Sequence, residues 1–196
     1  MKKYLYLFLI LVNGCFFQTL SQFSENDIIG KENKIPNSGF EEGNYKYEKT
    51  PDKWLIVNKP ENLIFWENGI NHGGERCLMI KNPNQKINIF SDAINIHPEE
   101  IYYSRCFVRA DKSSNASVTL LFLAFDITGK RVNRFARKIK PGKEWSQIEL
   151  TTGYFKNSAL FGRVVISIPK KSDITFWIDD VESYKVYKFR KRWEEE

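Results

Sequence analysis

The sequence is poor in the residues on which most site chemistry depends. Its 196 residues include three Cys, two His and two Met. No Cys-x-x-Cys pair occurs, which leaves little from which to build a zinc site. The P-loop and Gly-x-Gly-x-x-Gly patterns are both absent, so the common nucleotide handles are missing. No apolar run approaches the ~20 residues that a membrane-spanning helix needs. His72 follows Asn71 and His97 precedes Pro98, and neither shows a partner for nucleophilic or general-base work.

Aromatic residues, by contrast, are plentiful. Fifteen Phe, nine Tyr and five Trp bring them to 15%, a palette that favours strands. Charged residues make up 28% and hydrophobic residues 42%, so the composition is that of a folded chain rather than a disordered one. The length fits one domain. The formal net charge is +6, which by itself would allow a polyanionic partner.

The first residues read as an address label, which weakens that implication. Met1, Lys2 and Lys3 make a short positive start, and Tyr4 to Val12 is an unbroken apolar run of signal-peptide length. Two processing sites compete. Thr19-Leu20-Ser21 is a small-x-small site before Gln22, which makes 1–21 a signal peptide. Val12-Asn13-Gly14-Cys15 resembles a lipobox, which would place a lipid on Cys15 as the only membrane attachment, although Phe16 and Phe17 follow it directly. Either way the mature chain is expected to be secreted or held at the cell surface, away from genomic nucleic acid. Lys2 and Lys3 leave with the signal peptide, and no acid leaves with them.

The mature chain reads as short strands separated by turns. Residues 22–34 are mostly polar and aperiodic, a lead-in. Strands are expected at Trp54 to Val57, Leu63 to Trp66, Cys77 to Ile80 and Gln85 to Phe90. Further strands are expected at Tyr102 to Ala110, Val118 to Phe125, Trp145 to Leu150, Phe161 to Ile168 and Ile174 to Val186. Turn signals at 71–74, 82–84, 111–115, 128–130 and 141–143 separate them. Many short strands with regular turns predict an all-β antiparallel sandwich, a jelly roll. A charged tail, 188–196, closes the chain.

Four segments in order carry a family resemblance. Asn37-Ser38-Gly39-Phe40-Glu41 with Pro51 to Trp54 resembles an N-x-G-F-E … P-x-x-W opening. Gly73 to Ile80 is similar to a G-x-x-x-L-x-V strand. Pro98 to Ala110 with Val118 to Gly129 resembles a Y-x-L-S-F-x-V-K-A … V-x-L-x-F-x-D-x-x-G pair. Trp145 to Leu150 with Phe176-Trp177-Ile178-Asp179-Asp180-Val181 resembles a closing W … F-Y-I-D-D-V. Over residues 35–187 the chain thus resembles carbohydrate-binding modules of the family 4, 9 and 22 type, with a galactose-binding-like jelly roll. The resemblance implies a polysaccharide or oligosaccharide partner and no catalysis. It also implies a structural Ca²⁺ between the first and last strands, with Glu41 and Asp180 at the matching positions and Asp179 beside them. Hard oxygen ligands suit that ion; the same acids would otherwise be ordinary solvated turn residues.

The strand Tyr102 to Ala110 carries the candidate sugar surface. Side chains alternate across a sheet, so Ser104, Cys106, Val108 and Ala110 share a core face. Tyr103, Arg105, Phe107 and Arg109 share the other, and two arginines resist unpaired burial. Alternating rings and guanidinium groups on a wet face could stack on sugars and donate to hydroxyls, uronates or sulfates. Trp66, at the end of its apolar run, is a further candidate, and Arg163 joins the face if its strand shares the sheet. The alternative is a solvated face with self-paired charges. Trp54, Trp145 and Trp177 are expected to pack. Cys77 points away from the core and Cys106 into it, which argues against a disulfide despite an oxidising compartment.

Two other functional classes stay open. Some jelly-roll polysaccharide lyases carry a Y-F-K-A-G strand similar to Tyr154-Phe155-Lys156, but Asn157 and Ser158 follow here and no Gln-Ile-His segment is present. The alternative to glycan binding is a cell-surface accessory or protein-interaction sandwich.

Overall fold

The computed structural model of the chain describes residues 23–43, 50–57 and 63–188. The expected signal peptide, the competing Cys15 site and most of the charged tail lie outside the described residues.

Eleven strands are described, and every pairing among them is antiparallel. They are β1 (Trp54–Val57), β2 (Ile64–Glu67), β3 (Cys77–Lys81), β4 (Ile87–Ser91), β5 (Ile94–Asn95), β6 (Glu100–Ala110), β7 (Val118–Phe125), β8 (Arg131–Ile139), β9 (Ser146–Thr151), β10 (Phe161–Ile168) and β11 (Thr175–Lys188). The first sheet runs β2-β3-β11-β6-β9. The second runs β1-β4-β10-β7-β8, with β5 also paired to β10. The two sheets form the expected sandwich.

Alternation explains the core. Leu78, Ile80, Cys106, Val108, Phe176 and Ile178 of the first sheet meet Ile87, Ile89, Leu120, Phe122, Val164 and Ile166 of the second. Each of these side chains is wholly buried, and β-branched and aromatic residues suit such a pleated interface. Gly162 lets the layers close: a Cβ there would stand 2.6 Å from the Phe122 ring.

Three departures from the expected pattern shape the surface. First, β8 was not expected. Four of its nine residues are cationic, and as an edge strand it presents only partly buried apolar groups. Second, β11 is not one continuous alternation. Its register against β6 shifts between Asp179 and Glu182, where Asp180 and Val181 together stand opposite Cys106 alone, one extra residue. Asp180 takes φ +46°, a conformation unusual for a side chain other than Asn or Asp. Val181 thereby returns to the core while Asp180 turns toward neighbouring loops.

Third, the lead-in is structured. Residues Glu25–Ile28 form a short 3-10 turn, begun by Ser24, whose backbone N–H donates to Asp27 at 2.7 Å. Ile28 packs on Tyr103 and Tyr184, with Phe23 and Val186 alongside. Asn33 bridges to Tyr184, and its side-chain oxygen accepts the Ser183 N–H at 3.0 Å. The segment therefore covers part of the outer face of the first sheet.

Candidate functional site

That cover changes the reading of the β6 face. Tyr103 is on the outer side as expected, but it is fully buried beneath Ile28, and burial pushes its phenol pKa up. A wet, sugar-stacking Tyr103 is thus corrected: a lead-in with one apolar side chain in the right place seals it. Arg105 is held by acids on two sides. Its Nε donates to Glu182 at 2.5 Å and its Nη1 to Glu25 at 2.8 Å. Its charge is self-paired, the alternative left open by the sequence. Phe107 is half-buried and stacks on the His72 imidazole, with ring centroids 3.6 Å apart and planes 14° from parallel. Trp145 meets the same imidazole edge-on at 5.7 Å. Arg109 lies 5.8 Å from the Trp177 ring. Arg109 Nε and Trp177 Nε1 are both buried and have no hydrogen-bond partner among the described residues.

Two further candidates do not join that face. Trp66 is 4% exposed, belongs to the core and donates its indole N–H to the Phe40 carbonyl at 2.6 Å. Its polar edge is spent internally, so it is no platform. Arg163 lies on β10, in the other sheet, and donates to the Ser91 carbonyl at 2.5 Å. Its strand does not neighbour β6, so the expected convergence does not occur. Trp54 is in the core, donating to the Asn37 carbonyl at 2.9 Å. Cys77 and Cys106 are free and buried; Cys77 donates to the Ile70 carbonyl on the outer side, while Cys106 lies in the core.

The three acids gather at one end of the sandwich but differ in engagement. Asp179 is fully buried. Its carboxylate accepts N–H bonds from His72 (2.7 Å), Gly73 (3.2 Å) and Asp180 (2.8 Å). Burial raises its pKa to about 6, against the lowering effect of those bonds. Glu41 Oε1 accepts from the Glu75 and Arg76 N–H groups at 2.9 and 3.1 Å. Asp180 Oδ2 faces His72 Nδ1 at 2.6 Å. Glycines frame these two carboxylates. A Cβ on Gly39 would lie 3.4 Å from Asp180 Oδ1 and 3.8 Å from Glu41 Oε1, and one on Gly73 only 2.7 Å from Asp180 Oδ2. Glu41 and Asp180 thus lie on either side of the same glycines, each with one carboxylate oxygen bonded by the protein: Glu41 Oε1 by two backbone N–H groups and Asp180 Oδ2 by His72. Asp179 is the least available of the three for a cation, because both of its oxygens accept backbone N–H groups. Among the described residues no three acidic, His or Cys side chains form a metal-holding cluster.

The outer face of the second sheet is closed at its centre, where Leu121, Leu123 and Val165 are buried, and partly open at Phe90, Phe125 and Phe161. Strand register aligns its side chains in rows. Leu55 pairs with Phe90, Phe90 with Val165, Val165 with Leu121 and Leu121 with Ala136. Leu121, Leu123 and Val165 form an apolar cluster flanked by Phe90 and Phe125. Phe125 stacks on Phe161 at 5.2 Å, 14° from parallel. The adjoining row pairs Asn88 with Ser167, Ser167 with Thr119 and Thr119 with Lys138. Here lies a groove of about 370 Å³, with Thr119, Leu121 and Ser167 among its lining residues. Small Ala136 between Arg134 and Lys138 leaves room on the β8 side. Sequence reasoning assigned Arg163, Val165 and Ser167 to one face correctly but missed this site, because β8 was missed. The alternation Arg134, Ala136, Lys138 in a segment without acids was the available signal.

No family model matches the sequence, and no curated protein matches it. The fold is nevertheless similar to solved sugar-binding modules. The module TmCBM61, solved with β-1,4-galactotriose, superposes with a TM-score of 0.52 at 15% identity, over 79% of this chain and 99% of that one. The CBM22-1 xylan-binding domain of Paenibacillus barcinonensis Xyn10C gives 0.51 at 15% identity, over 77% and 93%. The arabinose-bound α-L-arabinofuranosidase MgGH51 gives 0.57 at 13% identity over 78% of this chain, which spans only 26% of that enzyme. At these identities the likeness establishes a carbohydrate-binding-module type of jelly roll as the fold.

Proposed function

We propose that the chain is a non-catalytic glycan-binding module that works outside the cytoplasm. The observation that carries this reading is the outer face of the second sheet, where half-buried aromatic rings border a groove. It combines a cluster of Leu121, Leu123 and Val165, half-buried Phe90, Phe125 and Phe161, and polar groups one row away. Apolar rings pack against the C–H faces of sugars, and flanking hydroxyls and cations take sugar oxygens. A face built on strands holds such groups in place better than a loop would. The signal-peptide reading supplies the location, and mass spectrometry of the mature N-terminus distinguishes free Gln22 from acylated Cys15. Calcium belongs to the same proposal as a structural ion held by Glu41 and Asp180, remote from the sugar face.

Glycan-array screening of the chain beginning at Gln22 tests the reading, with Phe90→Ala and Phe125→Ala as variants. Binding that both variants weaken supports it. A second reading keeps the remaining half of the β6 face as the sugar surface, favoured by the unpartnered N–H groups of Arg109 and Trp177. Loss of binding in Phe107→Ala but not in Phe90→Ala would favour that face. Capture of a surface protein with no glycan bound would favour the accessory sandwich.

A further inference from the structure

The groove on the second sheet has a one-sided charge. Its lining includes Lys86, Arg134, Lys138 and Lys170, together with Ser117, Thr119 and Ser167, and it includes no carboxylate. Lys86 and Lys170 stand at the β4 and β10 end; Arg134 and Lys138 project from β8 on the far side of β7. All four cations are exposed. None of the four forms an ion pair among the described residues. Four cations of one sign around one depression raise its positive potential and favour an anionic ligand there, more so at low salt. The three hydroxyls add neutral donors and acceptors of the kind that sugar oxygens use. Strands spaced about 4.8 Å apart put Ser167 and Lys138, two strands away, at roughly 10 Å. Cations therefore flank the groove on both sides of its floor.

We infer that this groove binds an acidic polysaccharide, with uronate or sulfate groups seated between the cations of β8 and those at the ends of β4 and β10. The inference rests on the glycan-binding reading and names the ligand class for the same face. Carboxylate and sulfate share the chemistry recognised here: planar or tetrahedral oxyanions accept charge-assisted bonds from guanidinium and ammonium groups.

Affinity electrophoresis of the chain beginning at Gln22 against four gels tests it: polygalacturonate, a sulfated galactan, the same galactan desulfated, and neutral xylan. The expected result is retardation by an acidic gel, relieved by added salt and weakened about tenfold or more by Arg134→Ala/Lys138→Ala. Both residues are exposed on an edge strand, and an unchanged thermal melt of the variant certifies its fold. Retardation by polygalacturonate identifies the uronate, and retardation lost on desulfation identifies the sulfate. Preferential binding of desulfated galactan or xylan, unaffected by the variant, overturns the acidic assignment while leaving glycan binding intact. Absence of binding to all four gels and to a glycan array overturns both. Equal retention of duplex DNA at physiological salt, lost in the same variant, overturns the polysaccharide class.

Discussion

Replacing Arg105 by alanine should cost stability and leave glycan binding unchanged. The side chain is 21% exposed and bonds Glu182, itself 18% exposed, through Nε, while Nη1 reaches the 56% exposed Glu25. The Glu25 arm is largely in water, so its loss costs well under ~1 kcal/mol. The Glu182 arm decides the result. Removing the guanidinium strands a carboxylate that is four-fifths buried, which costs about 1.5–3 kcal/mol. This is below the ~3–5 kcal/mol of a fully buried pair, because Glu182 keeps some access to solvent. A loss of about 2 kcal/mol corresponds to a drop in Tm of roughly 4–8 °C for a domain of this size. Thermal melts at low and high salt provide the assay, and the loss should persist in salt because the Glu182 pair is screened little. The double variant Arg105→Ala/Glu182→Ala should lose less than the sum of the singles, since it leaves no stranded charge. A Tm within about 1 °C of the parent, together with a collapse of glycan affinity, would refute this reasoning and return Arg105 to the sugar site.

Gly162→Ala should destabilise by about 1–3 kcal/mol, because its Cβ would stand 2.6 and 2.7 Å from Phe122 and 3.2 Å from Ile96 in a packed core. Denaturant titration reads the loss, and a Phe122→Leu background should recover part of it. Cys77, its pKa pushed by burial up to about 12, and Cys106, pushed up by the same cause, should both resist a thiol reagent at pH 8 in the native chain. Both should react once the chain beginning at Gln22 is denatured. Asp179 has its folded pKa raised to about 6 from 3.8, so the native state binds more protons than the unfolded one between those values. Its contribution is therefore favourable at low pH and is lost as pH rises through about 4 to 6, and Asp179→Asn should remove that falling component from the pH profile of stability in chelator. Added Ca²⁺ should raise Tm over chelator in the parent chain and fail to do so in Glu41→Gln, since an ion that binds only the native state must stabilise it.

Much of the fold was legible because it depends on local alternation. The limits expected for Val118–Phe125 and Phe161–Ile168 are those observed, since both strands are apolar on both faces, one set in the core and Leu121, Leu123 and Val165 in the outer cluster. The two faces of β6 were also legible: Cys106, Val108 and Ala110 point inward as parity requires. Parity states which residues share a face, however, and is silent about what lies over that face. Whether Tyr103 meets water or Ile28 is decided by residues 75 positions apart, through a lead-in whose own pattern has no period. Arg105 illustrates the same limit. A buried arginine needs a partner, and Arg105 meets that need with Glu182 and Glu25 rather than by exposure. β8 is the opposite case. Its outward residues Arg134 and Lys138 face solvent beside a ligand-sized groove rather than a core, so apolar periodicity had little to register. A strand at the edge of a sheet is free to be cationic, because charge there also discourages pairing with other chains. The features that disguise β8 in sequence are thus the ones that equip it to hold an anion.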